Sequence, residues 1–155
     1  MPLYPDKVII SDTACLIGLT NIGQINILYE MFGSVFVTPE VAEEFGTMLP
    51  EWITVHAVSD VNKINVFNKF IGLGESSAII LAMEIENALL IVDDRRARQF
   101  ALSLGLEITG TLGLLIRAYE NNLIKDIDSI VANLRKISFR LPDNTETLIK
   151  NIKNS

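Results

Sequence analysis

Ala88-Leu89-Leu90-Ile91-Val92-Asp93-Asp94-Arg95-Arg96 decides how the rest of the chain is read. An apolar run that stops abruptly at two carboxylates is a short buried strand followed by a loop, and the polar stretch from Arg95 to Leu104 returns to helical period. The same alternation recurs on both sides. Lys7 to Ser11, Ser34 to Val37, Ile53 to Val58 and Leu106 to Ile108 read as further strands. Helical spacing falls between them: Leu16 and Leu19, then Ile27, Leu28 and Met31, with a break at Asn21 to Gly23, then Val41, Phe45 and Leu49. Val61 to Phe70, Ser76 to Glu86, Thr111 to Asn121, Ile127 to Leu134 and Pro142 to Ile152 complete the helices. Strands alternating with helices predict an α/β fold with a parallel sheet covered on both faces.

The 155 residues suit a single domain spanning 1–155, and 49% apolar with 21% charged residues describe a folded chain with a large aliphatic core. No linker, repeat or low-complexity segment divides it. One cysteine, Cys15, excludes an internal disulfide, and one histidine, His56, excludes a zinc site of the usual Cys/His kind. A metal here is held by oxygen, which suits Mg²⁺ or Mn²⁺. The N-terminus has no basic stretch leading into a long apolar one, and no apolar run approaches a membrane span, so a cytoplasmic protein is expected. A net charge of −6 argues against nonspecific polyanion binding, so any nucleic-acid contact is local, and a basic partner fits the balance.

In an open parallel sheet the ligand crevice lies beyond the carboxyl ends of the strands, and acids recur at those positions. Asp12 follows Val8-Ile9-Ile10-Ser11 and precedes the helix of Leu16 and Leu19; by itself it reads equally as a helix cap. After Val35-Phe36-Val37, Thr38 can cap and Pro39 fits the first helical position. At 100° per residue, Glu43 projects about 200° from Val41 and faces water, whereas Glu44 lies about 60° from Val41 and borders the core. Glu40 shares the flank of Glu44 one turn earlier. Glu75 follows Gly72-Leu73-Gly74, where an acid also favours the helix dipole. No Gly-Lys-Ser/Thr follows these glycines, so they form no phosphate loop. Of Asp93 and Asp94, one caps the next helix and the other points into the crevice; spacing leaves the assignment open. Carboxylates converging at one sheet edge require a countercharge. A divalent cation supplies it and can orient water for attack on a phosphodiester.

These residues resemble a known family. Ser11-Asp12-Thr13-Ala14-Cys15-Leu16-Ile17, Pro39 through Glu44-Phe45, Gly74-Glu75 with Ala78-Ile79, and Val92-Asp93-Asp94-Arg95-Arg96-Ala97-Arg98 look like a PIN domain. Gly105-Leu106, Thr109-Gly110-Thr111-Leu112-Gly113 and the closing segment from Phe139 to Ile152 look like its DUF3368 subgroup. The resemblance implies a three-layer α/β/α domain around a parallel sheet of four or five strands. It also implies a Mg²⁺- or Mn²⁺-dependent ribonuclease, similar to VapC-type toxins of type II toxin–antitoxin pairs, with RNA as substrate, an antitoxin as partner and a homodimer as assembly. The family's acidic site maps onto Asp12, Glu44, Glu75, Asp93 and Asp94, with Glu75 standing where many PIN toxins carry Asp.

Thr13 is expected to occupy the turn after Asp12 and Thr111 to cap its helix. At most one of Arg95, Arg96 and Arg98 is expected at substrate, because Ala97 and Phe100 give that helix a buried side. His56, Trp52 and Cys15 read as structural. Two other classes compete: a PIN-like module of weak or no turnover that binds RNA or a protein, and a phosphotransfer domain using Asp12. The second is disfavoured. Position 14 is Ala14 where an aspartyl phosphatase needs a second acid, and Leu106 to Gly110 lacks the lysine a receiver domain needs.

Overall fold

A computed structural model describes residues 2–155. The elements run β1 (Val8–Ser11), α1 (Thr13–Asn21), α2 (Asn26–Phe32), β2 (Val35–Val37), α3 (Pro39–Phe45), β3 (Ile53–Val55), α4 (Val61–Phe67), α5 (Leu73–Glu84), β4 (Ala88–Ile91), α6 (Arg95–Ser103), β5 (Glu107–Thr109), α7 (Thr111–Glu120), α8 (Ile127–Lys136) and α9 (Thr145–Lys153). All strand pairs are parallel, in the order β3-β2-β1-β4-β5.

This order follows from burial. Successive strand residues point to opposite faces, so a strand apolar at every position needs cover on both. Ile9, Leu89 and Ile91 enter one core with Leu16, Leu19, Leu115, Ile127 and Leu134. Ile10, Leu90 and Val92 enter the other with Ala78, Ile79, Leu81, Ala97 and Ala101 from α5 and α6. The three-layer α/β/α arrangement with five parallel strands is the one expected.

Boundaries differ from the sequence reading where backbone geometry overrides periodicity. α3 stops at Phe45 instead of running to Leu49, because Gly46 at φ 80° ends the helix in a left-handed turn. Leu49 still packs on the core from the following loop. α5 begins at Leu73, three residues before the expected start, which places Glu75 inside its first turn. β3 ends at Val55 and α9 starts at Thr145, each shorter than expected. Among the described residues no helix is long and apolar enough to cross a membrane.

The topology positions the crevice. From β1 the chain builds outward through β2 and β3, then returns to the other side of β1 for β4 and β5. The reversal lies between β1 and β4, where two neighbouring crossovers leave in opposite directions and open a gap at the strand ends. Ser11 pairs with Ile91 at the end of that ladder, so the next residues of both strands enter the gap together.

Candidate active site

Asp12 leaves β1 with its amide still donating to Ile91 O at 2.9 Å, then turns to cap α1, accepting from Cys15 N at Oδ1 (3.0 Å). Its other oxygen, Oδ2, accepts from Asp93 N at 2.9 Å. One carboxylate oxygen therefore holds a backbone donor from the first turn of α1 and the other a donor from the end of β4, and the residue is only 2% exposed. Burial pushes its pKa well above the usual carboxylate value, and the Asp93 charge adds to the rise.

Of the two acids after β4, Asp94 is the cap: it is exposed and accepts from Ala97 N at 2.9 Å. Asp93 turns the other way. Its Oδ1 accepts from Thr111 N at 2.8 Å and its Oδ2 from the Thr111 hydroxyl at 2.6 Å. Thr111 was expected to cap α7, but it is the first helical residue, and the acceptor at the head of α7 is Asp93. Burial raises the Asp93 pKa, opposed by the two Thr111 bonds and by the Arg98 charge. That arginine is tied in place, donating from Nη1 to Val92 O at 2.8 Å. Gly110 leaves room for both: a Cβ there would stand 2.8 Å from Arg98 Nη1 and 3.1 Å from Asp93 Oδ1.

Glu43 and Glu44 are both exposed, so Glu44 does not border the core as expected, but it is the one that reaches the crevice from α3. Glu44 Oε1 accepts from the Thr13 hydroxyl and Oε2 from Gly74 N at 3.3 Å. Gly74 lets Glu44 approach this closely: a Cβ there would overlap Oε1 and stand 2.8 Å from Cδ, so the Glu44 carboxylate would have to move. Thr13, read from sequence as a turn residue, thus clamps a site acid from the opposite wall. Nothing in the sequence pairs it with a glutamate 31 positions away. Glu40, one turn earlier, is partly buried and its Oε1 has no hydrogen-bond partner among the described residues.

Glu75 is half-buried, and burial raises its pKa, offset by a bond from its own backbone N–H and reinforced by the Glu44 and Asp94 charges. Thr13, Glu44, Glu75, Asp93 and Asp94 line one cleft of about 540 Å³, and Asp12 underlies it through its bond to Asp93. The opposite wall is the 137–140 segment after α8, which the sequence reading did not associate with the acids. His56 is exposed and bonds Ala57 O through Nδ1, and Cys15 is buried in the core. Neither lines the cleft.

The DUF3368 family model, described as a PIN domain, matches residues 8–154. The chain belongs to the PIN domain family. No curated protein and no solved structure matches it. PIN domains are nucleases as a class, so a hydrolase fold follows from membership.

The donor chemistry fits the divalent cation that PIN domains typically use. Among the described residues no group of three or more Asp, Glu, Cys or His side chains is placed to hold a metal ion. Asp12, buried, and Asp93, partly buried, nevertheless hold charge that desolvation and mutual repulsion oppose, with Arg98 tied in place on the Asp93 side and Arg140 exposed along the same cleft. A hard cation that keeps most of its waters needs one or two carboxylates and an open cleft, and that is the set present.

Proposed function

We propose that this chain, acting as one domain over 1–155, is a divalent-cation-dependent endoribonuclease that hydrolyses RNA phosphodiester bonds at the cleft bounded by Asp12, Glu44, Glu75, Asp93 and Asp94. The single observation that carries it is the Asp12–Asp93 pair, locked together by Asp93 N to Asp12 Oδ2 at the strand ends, with Asp12 buried, Asp93 partly buried and neither carboxylate ion-paired among the described residues. Structural carboxylates avoid that situation, because an unpaired buried charge is costly, and sites of chemistry are where the cost is tolerated.

Asp12 and Asp93 would hold Mg²⁺ or Mn²⁺, with Glu44, Glu75 and Asp94 around it. The bound cation would lower the pKa of a water and offset charge developing on the phosphoryl oxygens. The protein's own part is preorganisation. Backbone donors fix both Asp12 oxygens, Thr111 fixes both Asp93 oxygens, and Thr13 with Gly74 fixes Glu44, so the carboxylates need no rearrangement when substrate arrives. Glu75, raised by burial and by acidic neighbours, suits accepting a proton in the cleft.

In this reading the protein is the toxin of a type II pair, similar to VapC toxins, working in the cytoplasm as a homodimer, and its net charge of −6 suits a basic antitoxin segment. That no group of three or more acidic, Cys or His side chains among the described residues is placed to hold a metal favours a second reading, a module that binds RNA or a protein without useful turnover. One experiment separates them: RNA cleavage in Mn²⁺ by the parent and by Asp12→Asn and Asp93→Asn, with folding checked by circular dichroism. Cleavage lost in both folded variants supports the nuclease. Equal cleavage by all three overturns the site, and no cleavage by any of them supports the binding module.

A further inference from the structure

A second concavity of about 690 Å³ adjoins the acidic cleft, between α6, α7 and the segment joining α8 to α9, and the two share Asp93 and Arg140. We infer that this groove binds the single-stranded RNA flanking the scissile phosphate, with Arg140 at its junction with the carboxylates and Arg95 further along as the phosphate contacts. The inference rests on the ribonuclease reading and names where its substrate lies.

Pairing separates the arginines around the site. Arg98 is bound to Val92 O beside Asp93, and Arg96 donates to Phe70 O on the other side of α6. Arg95 and Arg140 are exposed, line the groove, and have no ion pair or side-chain hydrogen bond among the described residues. Two unpaired guanidinium groups flanking a cluster of carboxylates give a chain of net charge −6 a local place for an anion to bind. Asp143 also lines the groove, so the anionic path follows the Arg95–Arg140 side.

Arg140 is held at the junction by its neighbours. Phe139 packs so closely on α1 that a Cβ at Gly18 would stand 2.6 Å from its ring, and Phe139 N donates to Leu134 O at 2.9 Å. Ser138 adopts φ 61° to make the turn. This anchored strap carries Arg140 over the cleft while leaving its side chain exposed. The groove floor is aliphatic, with Leu102, Ile108 and Leu141 among its lining and no aromatic ring. With no aromatic ring to stack a base, the groove contributes apolar contact and the exposed guanidinium groups carry the recognition, at phosphates or as planes against unpaired bases, which a duplex does not present.

The test is binding of a fluorescein-labelled single-stranded 12-nucleotide RNA to the full chain in EDTA, by anisotropy across a KCl series. Arg140→Ala is expected to weaken binding about fivefold at low salt and to reduce the slope of log affinity against log salt by ~0.7, the value for one phosphate contact on a single strand. Arg140→Lys restores the slope, which a merely structural role would not. Arg95→Ala acts in the same direction. Arg135→Ala, outside the groove and ion-paired with Glu146, leaves binding unchanged. If the parent binds and cleaves RNA but Arg140→Ala and Arg95→Ala keep its affinity and slope, the groove is wrong and the nuclease stands. Equal preference for a 12-base-pair duplex also overturns it. A parent that neither binds nor cleaves RNA removes both the groove and the reading beneath it.

Discussion

Asp12 at the head of α1 and Asp126 at the head of α8 do the same local job. Each accepts a hydrogen bond from the backbone N–H three residues on, Cys15 N for Asp12 and Ser129 N for Asp126, both at 3.0 Å. Beyond that they share nothing. Asp126 lies at the surface, its other oxygen free for water, whereas Asp12 is buried, spends its second oxygen on Asp93 N, and faces a neighbouring negative charge. Capping alone therefore says nothing about function. A cap becomes a site when the sheet carries the helix start to a buried edge where other acids arrive.

The comparison breaks most sharply in activity. Asp93→Asn removes charge from the cleft while its amide keeps both Thr111 partners, since the Thr111 hydroxyl can reverse its role and accept. Losing several kcal/mol of charge stabilisation is worth about 10²-fold or more, so RNA cleavage in Mn²⁺ should fall by at least that factor. Asp126→Asn should cleave like the parent. Next in size is Gly74→Ala. The added methyl would displace Glu44 while suiting the helix, so cleavage is expected to drop roughly 10- to 100-fold with the melting temperature nearly unchanged. A Gly74→Ala protein that cleaves normally would show that Glu44 has no part in the site.

Stability should move the opposite way at the surface cap and in the acidic pair. Asp126→Ala costs about 1 kcal/mol, or ~2–4 °C for a domain of this size, in a thermal melt. Asp93→Asn in metal-free buffer at neutral pH should melt no lower than the parent, because it relieves the repulsion on Asp12. Adding Mg²⁺ should raise the melting temperature of the parent and leave that of Asp93→Asn where it was, since a ligand stabilises only the state that binds it. The smallest effect concerns pH. Asp12, Asp93 and Glu75 are all raised in the folded state, so the native protein holds protons that the unfolded chain has released. Their contribution is present at acid pH and is lost as pH rises from the ordinary carboxylate range through the raised values. Metal-free melting temperature should therefore decline from pH 5 to pH 8, more gently in Asp93→Asn; an identical decline in both would argue that the pair is not coupled.

Much of the frame was readable in one dimension. The apolar runs at Val8 to Ile10 and Ala88 to Val92 carry their own strand signal, and the crossover helices follow from period alone. The helical angle picked Glu44 over Glu43 for the cleft, because α3 is regular between Pro39 and Phe45, although both side chains are exposed. Thr13 and Thr111 were misread. Each sits where a local turn or cap explains it adequately, and the partner that gives it a different role, Glu44 or Asp93, comes from a distant element. Arg140 left no sequence signal, since an arginine between helices is ordinary until the strap around Phe139 brings it over the acids.

By itself the sequence determined the class of fold, the strand ends at which acids fall, and the oxygen-only chemistry of any metal, because periodicity, burial and the lack of a second cysteine or histidine are properties of residue order and composition. The tertiary structure alone decided that β4 returns beside β1, and with that which acid of Asp93 and Asp94 turns inward, which hydroxyls hold the carboxylates, and which arginines remain unpaired. Strand order is set by how both faces of the sheet are covered at once, and hydrogen-bond partners far apart in the chain exist only after that packing is complete.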